Sequence, residues 1–339
     1  MGYRGRRGRR AVAGVLAVLW TAAGSAATHV TAGGSRDVAL GPPLTQPTCS
    51  GVKARVKVFH PGGVPIDDWR EELAFDGHGG MWVSHIEFNT LERYDPRGRV
   101  TETLSVPGSG GLALGPDGLI YANTSGGPAG TGVVRFDPTL AHPTPSVFVS
   151  GLPGVNASTF DSSGFLYVST EDQPPSVLRI RPDGTRDTAW ENAAAFYGAN
   201  GVTVEGANLF AAVTFDQRSP IELVPIANPA AHRTFAELSV GVLSRQPAVH
   251  QPDLHAPLIP KGLDDLTTGP DGLLYVVGFS SGELLRVDPA TGRACVLVSG
   301  LRTPTAVQFA VNFGSFDPSR DLFLTEASGR IMHVHLDVG

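Results

Sequence analysis

Glu71, Asn156, Asn200 and Asp264 each stand directly ahead of an apolar, strand-like run, in "EELAFDGHGGMWVSHI", "NASTFDSSGFLYVSTE", "NGVTVEGANLFAAVTF" and "DDLTTGPDGLLYVVGF". Two carboxylates and two amide carbonyls suit a hard divalent cation. Ca²⁺ takes about six to eight oxygens at roughly 2.3–2.6 Å, and two negative charges balance its two positive ones. Zn²⁺ ordinarily recruits His or Cys, and neither stands at these positions, so Ca²⁺ is the expected ion, with Mn²⁺, Mg²⁺ and Zn²⁺ as alternatives. Taken singly, each residue is an ordinary turn or cap residue. Asn200-Gly201 in particular has the composition of a turn, because both residues tolerate positive φ. Only a fold that gathers the starts of their strands makes the four into one site.

The repeats in the chain describe such a fold. Two further segments, "GGLALGPDGLIYANTS" and the more divergent "TAVQFAVNFGSFDPSRDLFLTEA", share the order of apolar strand, Gly-containing turn and second strand with an aromatic. The six begin at 71, 110, 156, 200, 264 and 305, with steps of 39, 46, 44, 64 and 41. Third strands are visible as "LERYDP", "VVRFDP", "VLRIRPDG", "LLRVDP" and "IMHVHLD". A strand-rich repeat of about 40 to 50 residues predicts an all-β, six-bladed β-propeller, each four-stranded sheet burying its faces against its neighbours. The last repeat runs out of chain after its third strand. The alternating run Ala54–Gly63, "ARVKVFHPGG", can supply the fourth, so that an N-terminal strand closes the last blade and removes an exposed edge. The expected organisation is a signal peptide over 1–27, an N-terminal extension over 28–52 and a propeller over 53–339. A loop inserted at about 222–262 accounts for the long step.

In a propeller the innermost strands surround the axis, so the position heading each one recurs around a single face. Its six occupants are Glu71, Gly110, Asn156, Asn200, Asp264 and Thr305. The second strands return to the same face, which makes His85, Asn123, Glu171 and Glu326 candidates as well. His85 is the candidate for catalytic proton exchange near neutral pH; Glu171 and Asn123 are candidates for substrate binding. His250 and His255, five residues apart in the inserted loop, form only a weak metal motif.

Over roughly Ala54 to the C-terminus the sequence resembles the senescence marker protein/gluconolactonase family of six-bladed propellers, in the Glu, Asn, Asn, Asp set and in the "NGV" start at Asn200. The resemblance implies that Glu71, Asn156, Asn200 and Asp264 are metal ligands and that Asp264 doubles as the catalytic general base or water-orienting group. It further implies hydrolysis of lactones or related esters, the metal polarising the carbonyl. The chain departs from the family at three places. Glu72 and Asp265 follow Glu71 and Asp264 where glycine is usual, and Gly154 stands two residues before Asn156 where sugar-lactone members carry arginine. Two other readings are a non-enzymatic extracellular ligand-binding propeller and a propeller lyase or strictosidine synthase-like enzyme.

Composition limits the partners. Among 339 residues, 42 are Gly and 27 Pro, which favours turns over long helices. "MGYRGRRGRRAVAGVLAVLWTAAGSAA" places five arginines before a short apolar run and small residues, the pattern of a secretory signal, so a secreted protein is expected. That segment holds five of the 26 Lys and Arg and none of the 32 Asp and Glu, so its removal takes the formal charge from −6 to −11. An acidic chain without basic clusters does not suit nucleic acid, and no later apolar run is long enough for a membrane span. A small-molecule substrate and a monomer are expected. In an exported protein Cys49 and Cys295 permit one disulfide closing a very long loop; two separate thiols are the alternative, and the sequence leaves both open.

Overall fold

The strand Asn208–Val213, NLFAAV, shows how these runs are used. Successive side chains of a strand point to opposite faces. Leu209 and Ala211 join a cluster containing Tyr167 and Val177, while Phe210 and Ala212 join another containing Leu263 and Val276. A continuous apolar run is therefore what a strand covered on both sides requires.

The computed structural model describes residues 46–64, 67–171, 175–239 and 261–338. The described residues form six antiparallel sheets in the ring of a six-bladed propeller. Blade one comprises β2 (Arg70–Phe75), β3 (Met81–His85), β4 (Thr90–Tyr94) and β5 (Val100–Ser105), and blade two comprises β6 (Leu112–Leu114), β7 (Ile120–Gly126), β8 (Gly130–Phe136) and β9 (Ser146–Ser150). Blade three has three strands, β10 (Ser158–Phe160), β11 (Leu166–Ser169) and β12 (Val177–Ile180), followed by a short helix, α1 (Thr188–Ala193). Blade four comprises β13 (Ala199–Glu205), β14 (Asn208–Val213), β15 (Pro220–Pro225) and β16 (Arg233–Glu237), and blade five comprises β17 (Leu263–Thr268), β18 (Leu274–Gly278), β19 (Glu283–Val287) and β20 (Ala294–Ser299). Blade six comprises β21 (Pro304–Phe309), β22 (Asp321–Glu326) and β23 (Ile331–Val338), completed by β1 (Val52–His60) in the order β1-β23-β22-β21.

Six apolar clusters lie one at each junction between neighbouring blades. The junction of blades six and one, for example, packs Leu73, Phe75 and Met81 against Phe313 and Phe323. The ring is closed twice over. β1 pairs antiparallel with β23 from Val52↔Val338 to His60↔Ile331. Ahead of β1, Thr48 bridges to Val296 on β20, and Cys49 is disulfide-bonded to Cys295 with a Cα–Cα distance of 4.9 Å.

Three features differ from the sequence expectation. Among the described residues blade three has only three strands. Trp190 of α1 packs its indole against Tyr167 and donates from Nε1 to the Ile226 carbonyl, so the helix covers apolar surface beside blade four. The first part of the expected insertion is regular blade, since β15 and β16 complete the fourth sheet; 240–260, with His250 and His255, lies outside the described residues, as do 1–45 with the expected signal peptide and most of the extension. Asn200-Gly201 lies within β13, and neither residue has positive φ; the left-handed residue there is Gly198, at φ 85°. No helix among the described residues is long and apolar enough to cross a membrane.

Candidate metal and catalytic site

In blades one, four, five and six the residues that head the inner strands occupy irregularities in the strand pairing, while Asn156 stands just ahead of the regularly paired β10. In blade one Arg70 pairs with His85 and Leu73 with Val83, so Glu71 and Glu72 together oppose a single residue. Asn200-Gly201 and Asp264-Asp265 do the same in blades four and five, and Thr305 is the extra residue in blade six. Such bulges bend a strand and re-aim its side chains. The strand heads, bulged or not, also pack against the next blade. A Cβ on Gly201 would lie 2.4 Å from the Asp265 Cα and 2.6 Å from the Asp264 carbonyl oxygen, and one on Gly111 would lie 2.3 Å from the Asn156 carbonyl oxygen. Gly201 is there because the backbone of blade five leaves no room for a side chain, not because of its φ.

The bulged strand heads, with Asn156 ahead of β10 and Glu171 after β11, gather an acidic cluster. Asn200 Nδ2 donates to Asp264 Oδ1 at 2.7 Å and to Thr214 Oγ1 at 2.9 Å, and Asn156 Nδ2 donates to Glu171 Oε2 at 3.2 Å. Burial pushes the Asp264 carboxyl well above its usual range, and the charges that add to the rise are those of Glu71, Glu171 and Asp265, all carboxylates. Burial pushes Glu71 up to about 7; a hydrogen bond from the Trp69 indole opposes the rise and the Glu171 charge adds to it. Glu71, Glu171 and Asp264 thus act on one another directly, with Asn200 held against Asp264 and Asn156 against Glu171. The second acids sit behind them. Glu72 accepts from the Leu73 N–H, and Asp265 accepts from the Val307 N–H at 3.1 Å across the blade boundary. Burial raises both, Asp265 to about 7.

This donor set fits a hard divalent cation. Buried carboxyls pushed up by one another need a positive charge to remain ionised together, and amide oxygens complete a coordination sphere without adding further repulsion. Glu71, Asn156, Asn200 and Asp264 would hold the ion, with Glu171 beside them. Glu171 was legible as a residue of this face but not as a member of the acid cluster. Its φ of 60° is rare for a non-glycine residue, and the turn, anchored by the Glu171 N–H to the Ala199 carbonyl at 2.9 Å, aims it inward.

The other candidates have different surroundings. His85 is buried with Nδ1 3.3 Å from Glu92 Oε1 and Nε2 2.8 Å from Asp68 Oδ1, its ring against Phe88. Arg70 shares both acids, at 2.7 Å from Asp68 and 3.3 Å from Glu92. Burial pushes the Glu92 carboxyl up, but hydrogen bonds from His85 and Tyr94 and the Arg70 charge bring it down to about 2. His85 therefore belongs to a charged network behind Arg70. Asn123 is fully buried between blades two and three, where Nδ2 donates to the Asn156 carbonyl at 2.8 Å and Oδ1 accepts from Ser158. Its amide is spent on fixing the backbone of a candidate ligand rather than held open for substrate. Glu326 is likewise committed, to Arg330 and the Arg302 N–H.

Two features of this face were not read from the sequence. The first is aromatic. Phe88 follows β3, Tyr197 precedes β13 and Phe215 follows β14, and all three are substantially exposed, while Trp69 stacks on Phe279 at 5.6 Å. The second is Gly278–Gly282, "GFSSG", which has the spacing of a serine nucleophile elbow. It joins β18 to β19, two adjacent strands, so the strand-to-helix turn that defines such an elbow is absent at Ser280.

No protein-family model and no curated protein sequence matches the chain. Solved structures do. A gluconolactonase from Xanthomonas campestris is 16% identical with a TM-score of 0.62, over 88% of this chain and 98% of that one. An aldose sugar dehydrogenase from Streptomyces coelicolor in its PQQ-bound form is 17% identical with a TM-score of 0.57, over 86% and 100%. A virginiamycin B lyase from Staphylococcus aureus is 11% identical with a TM-score of 0.52, over 84% and 99%. At these identities the likeness is one of fold, the propeller, and its gluconolactonase-like members are among the structural neighbours.

Proposed function

We propose that the protein is an exported, cation-dependent hydrolase of lactones or related esters. The observation that carries this reading is the convergence of Glu71, Asn156, Asn200 and Asp264, from the heads of the inner strands, with Glu171, which follows the second strand of blade three. A divalent cation bound there supplies the positive charge that polarises an ester or lactone carbonyl and offsets the negative charge developing on its oxygen. Asp264 accepts a proton from the attacking water at a carboxylate oxygen, with Asn200 fixing the carboxylate's orientation from the other side. The aromatic loops favour a substrate with an apolar or aromatic substituent over a bare polyhydroxylated sugar lactone. Gly154, without a side chain to bind sugar hydroxyls, favours the same choice. The Cys49–Cys295 bond supports export, since such bonds persist in oxidising compartments.

The test is an assay of the secreted chain on a panel of aliphatic, aryl and sugar lactones and esters, before and after chelation and calcium restoration. Activity on the apolar members, lost on chelation and reduced at least 100-fold in Asp264→Ala, is expected. Bound cation without hydrolysis across the panel would overturn the hydrolase and leave a ligand-binding or lyase propeller.

A further inference from the structure

On blade six, away from the axial cluster, β22 and β23 bring Asp321, His333 and His335 together. Asp321 pairs with His335 and Phe323 with His333, so the three polar side chains share one face of the sheet. Asp321 heads β22 and Glu326 ends it, and Glu326 pairs with Pro304 beside the bulge of Thr305. Asp321 therefore lies at the end of the blade opposite the acidic cluster, about 17 Å along a strand of this length.

We propose that Asp321, His333 and His335 form a second metal site, selective for a borderline transition ion such as Zn²⁺ or Cu²⁺ rather than for Ca²⁺. His333 Nε2 and His335 Nδ1 both lie 2.7 Å from the same oxygen, Asp321 Oδ1, and the three donor atoms fall within 4.8 Å of one another. Two imidazole nitrogens and one carboxylate oxygen are the donors such ions prefer, and water fills the remaining position. A tetrahedral ion with bonds of about 2.0–2.1 Å sets neighbouring donors about 3.3 Å apart, so each imidazole has to retreat by only about half an ångström.

The surroundings hold the three ligands in place. Asp321 Oδ2 accepts from the Asp317 N–H at 2.6 Å, which fixes the carboxylate. His333 stacks on Phe323 with ring centroids 5.1 Å apart and meets the edge of Phe316 at 4.9 Å, which fixes its ring plane. His335 Nε2 lies 3.7 Å from Asp337 Oδ1. When Nδ1 binds the ion, the imidazole proton resides on Nε2 and faces that carboxylate, the arrangement in which a metal-bound histidine is oriented by an outer acid. Of the cationic neighbours on β1, Arg55 is neutralised by Asp337 at 2.8 Å, and Lys57, paired with His333, is exposed. Asp321 is buried while the two histidines keep partial access to solvent, which leaves an entry path for the ion. The site ties β22 to β23 beside the strand that closes the ring, so the ion adds stability to the closure.

The test is isothermal titration of the full exported chain with Zn²⁺ in excess Ca²⁺, which keeps the axial cluster occupied, together with the Cu²⁺ electron paramagnetic resonance spectrum. One Zn²⁺ equivalent resistant to Ca²⁺, a raised melting temperature and a Cu²⁺ spectrum showing coupling to imidazole nitrogen are expected. His333→Gln and His335→Gln should each weaken Zn²⁺ binding at least tenfold, while Asn200→Ala and the His250→Gln/His255→Gln double variant leave it unchanged. Far-UV circular dichroism checks that each variant is folded; if His333→Gln is not, His335→Gln and the spectrum of the unaltered chain decide. Absence of Zn²⁺ binding, equal binding in the folded histidine variants, or a Cu²⁺ spectrum without imidazole coupling would overturn the proposal.

Discussion

Asn200 is oriented before any ligand arrives, because its amide nitrogen is shared between Asp264 and Thr214. Replacing it with alanine removes both an amide oxygen from the donor set and the donor that holds Asp264. Asn200→Ala is expected to lower cation affinity at least tenfold while costing little stability, readable by calorimetric titration beside thermal melting. Behind the site, Glu92 is held down to about 2 from an ordinary 4.5. A depressed acid contributes stability that is present above its unfolded pKa and lost as pH falls through the folded one. Glu92→Gln should therefore cost on the order of 3 kcal/mol near pH 7, and the gap to the unaltered chain should narrow between pH 4.5 and 2 in urea denaturation. At this scale the sequence was informative where a residue's place in the repeat decides its direction, as for Glu71, Asn200 and Asp264. It was less informative where local backbone decides: it put Glu171 on this face but not in the acid cluster that a φ of 60° brings it to, and it left Asn123 open to substrate where a partner 33 positions away turns it into the interblade seam.

The element that makes the site is the bulge heading an inner strand. Its sequence trace, a polar pair where an apolar strand should begin, reads as a turn in isolation, and Asn200-Gly201 has the right composition for one. The structure keeps both residues in β13 and uses Gly201 for a close approach of blade five. Gly201→Ala is expected to destabilise by about 1–3 kcal/mol, because the clash is with backbone rather than with a movable side chain. It should also weaken cation binding by displacing Asp264, and melting together with titration checks both effects. The strands were legible from apolar runs and Gly-bearing turns. The third and fourth strands of blade four were not, since "PIELVP" and "RTFAE" lie in Pro- and Ala-rich sequence that hides their alternation. The helix α1 in place of a fourth strand in blade three likewise follows from its packing through Trp190, a tertiary cause.

For the whole molecule, closure of the ring fixes where the six strand heads meet. Apolar clusters join every pair of neighbouring blades, and at the seam Thr305 and Thr325 of blade six donate to the Arg70 and Glu71 carbonyls at 2.7 and 2.8 Å. The Cys49–Cys295 bond spans 246 positions, a loop whose closure entropy amounts to about 5 kcal/mol as an upper figure. Cys49→Ser/Cys295→Ser is expected to lose roughly 2–5 kcal/mol, and reductant should lower the melting temperature of the unaltered chain but not of the variant. The pairing of β1 with β23 was legible because the last repeat lacks a strand and the first is preceded by a spare one; the disulfide was not, because spacing alone does not show which Cα atoms approach. The axial cation is tested most directly by diffraction from crystals of the chain grown with Ca²⁺. One ion contacting side-chain oxygens of Glu71, Asn156, Asn200 and Asp264 at about 2.3–2.6 Å is predicted. Saturating Ca²⁺ with no ion among those residues would contradict the account.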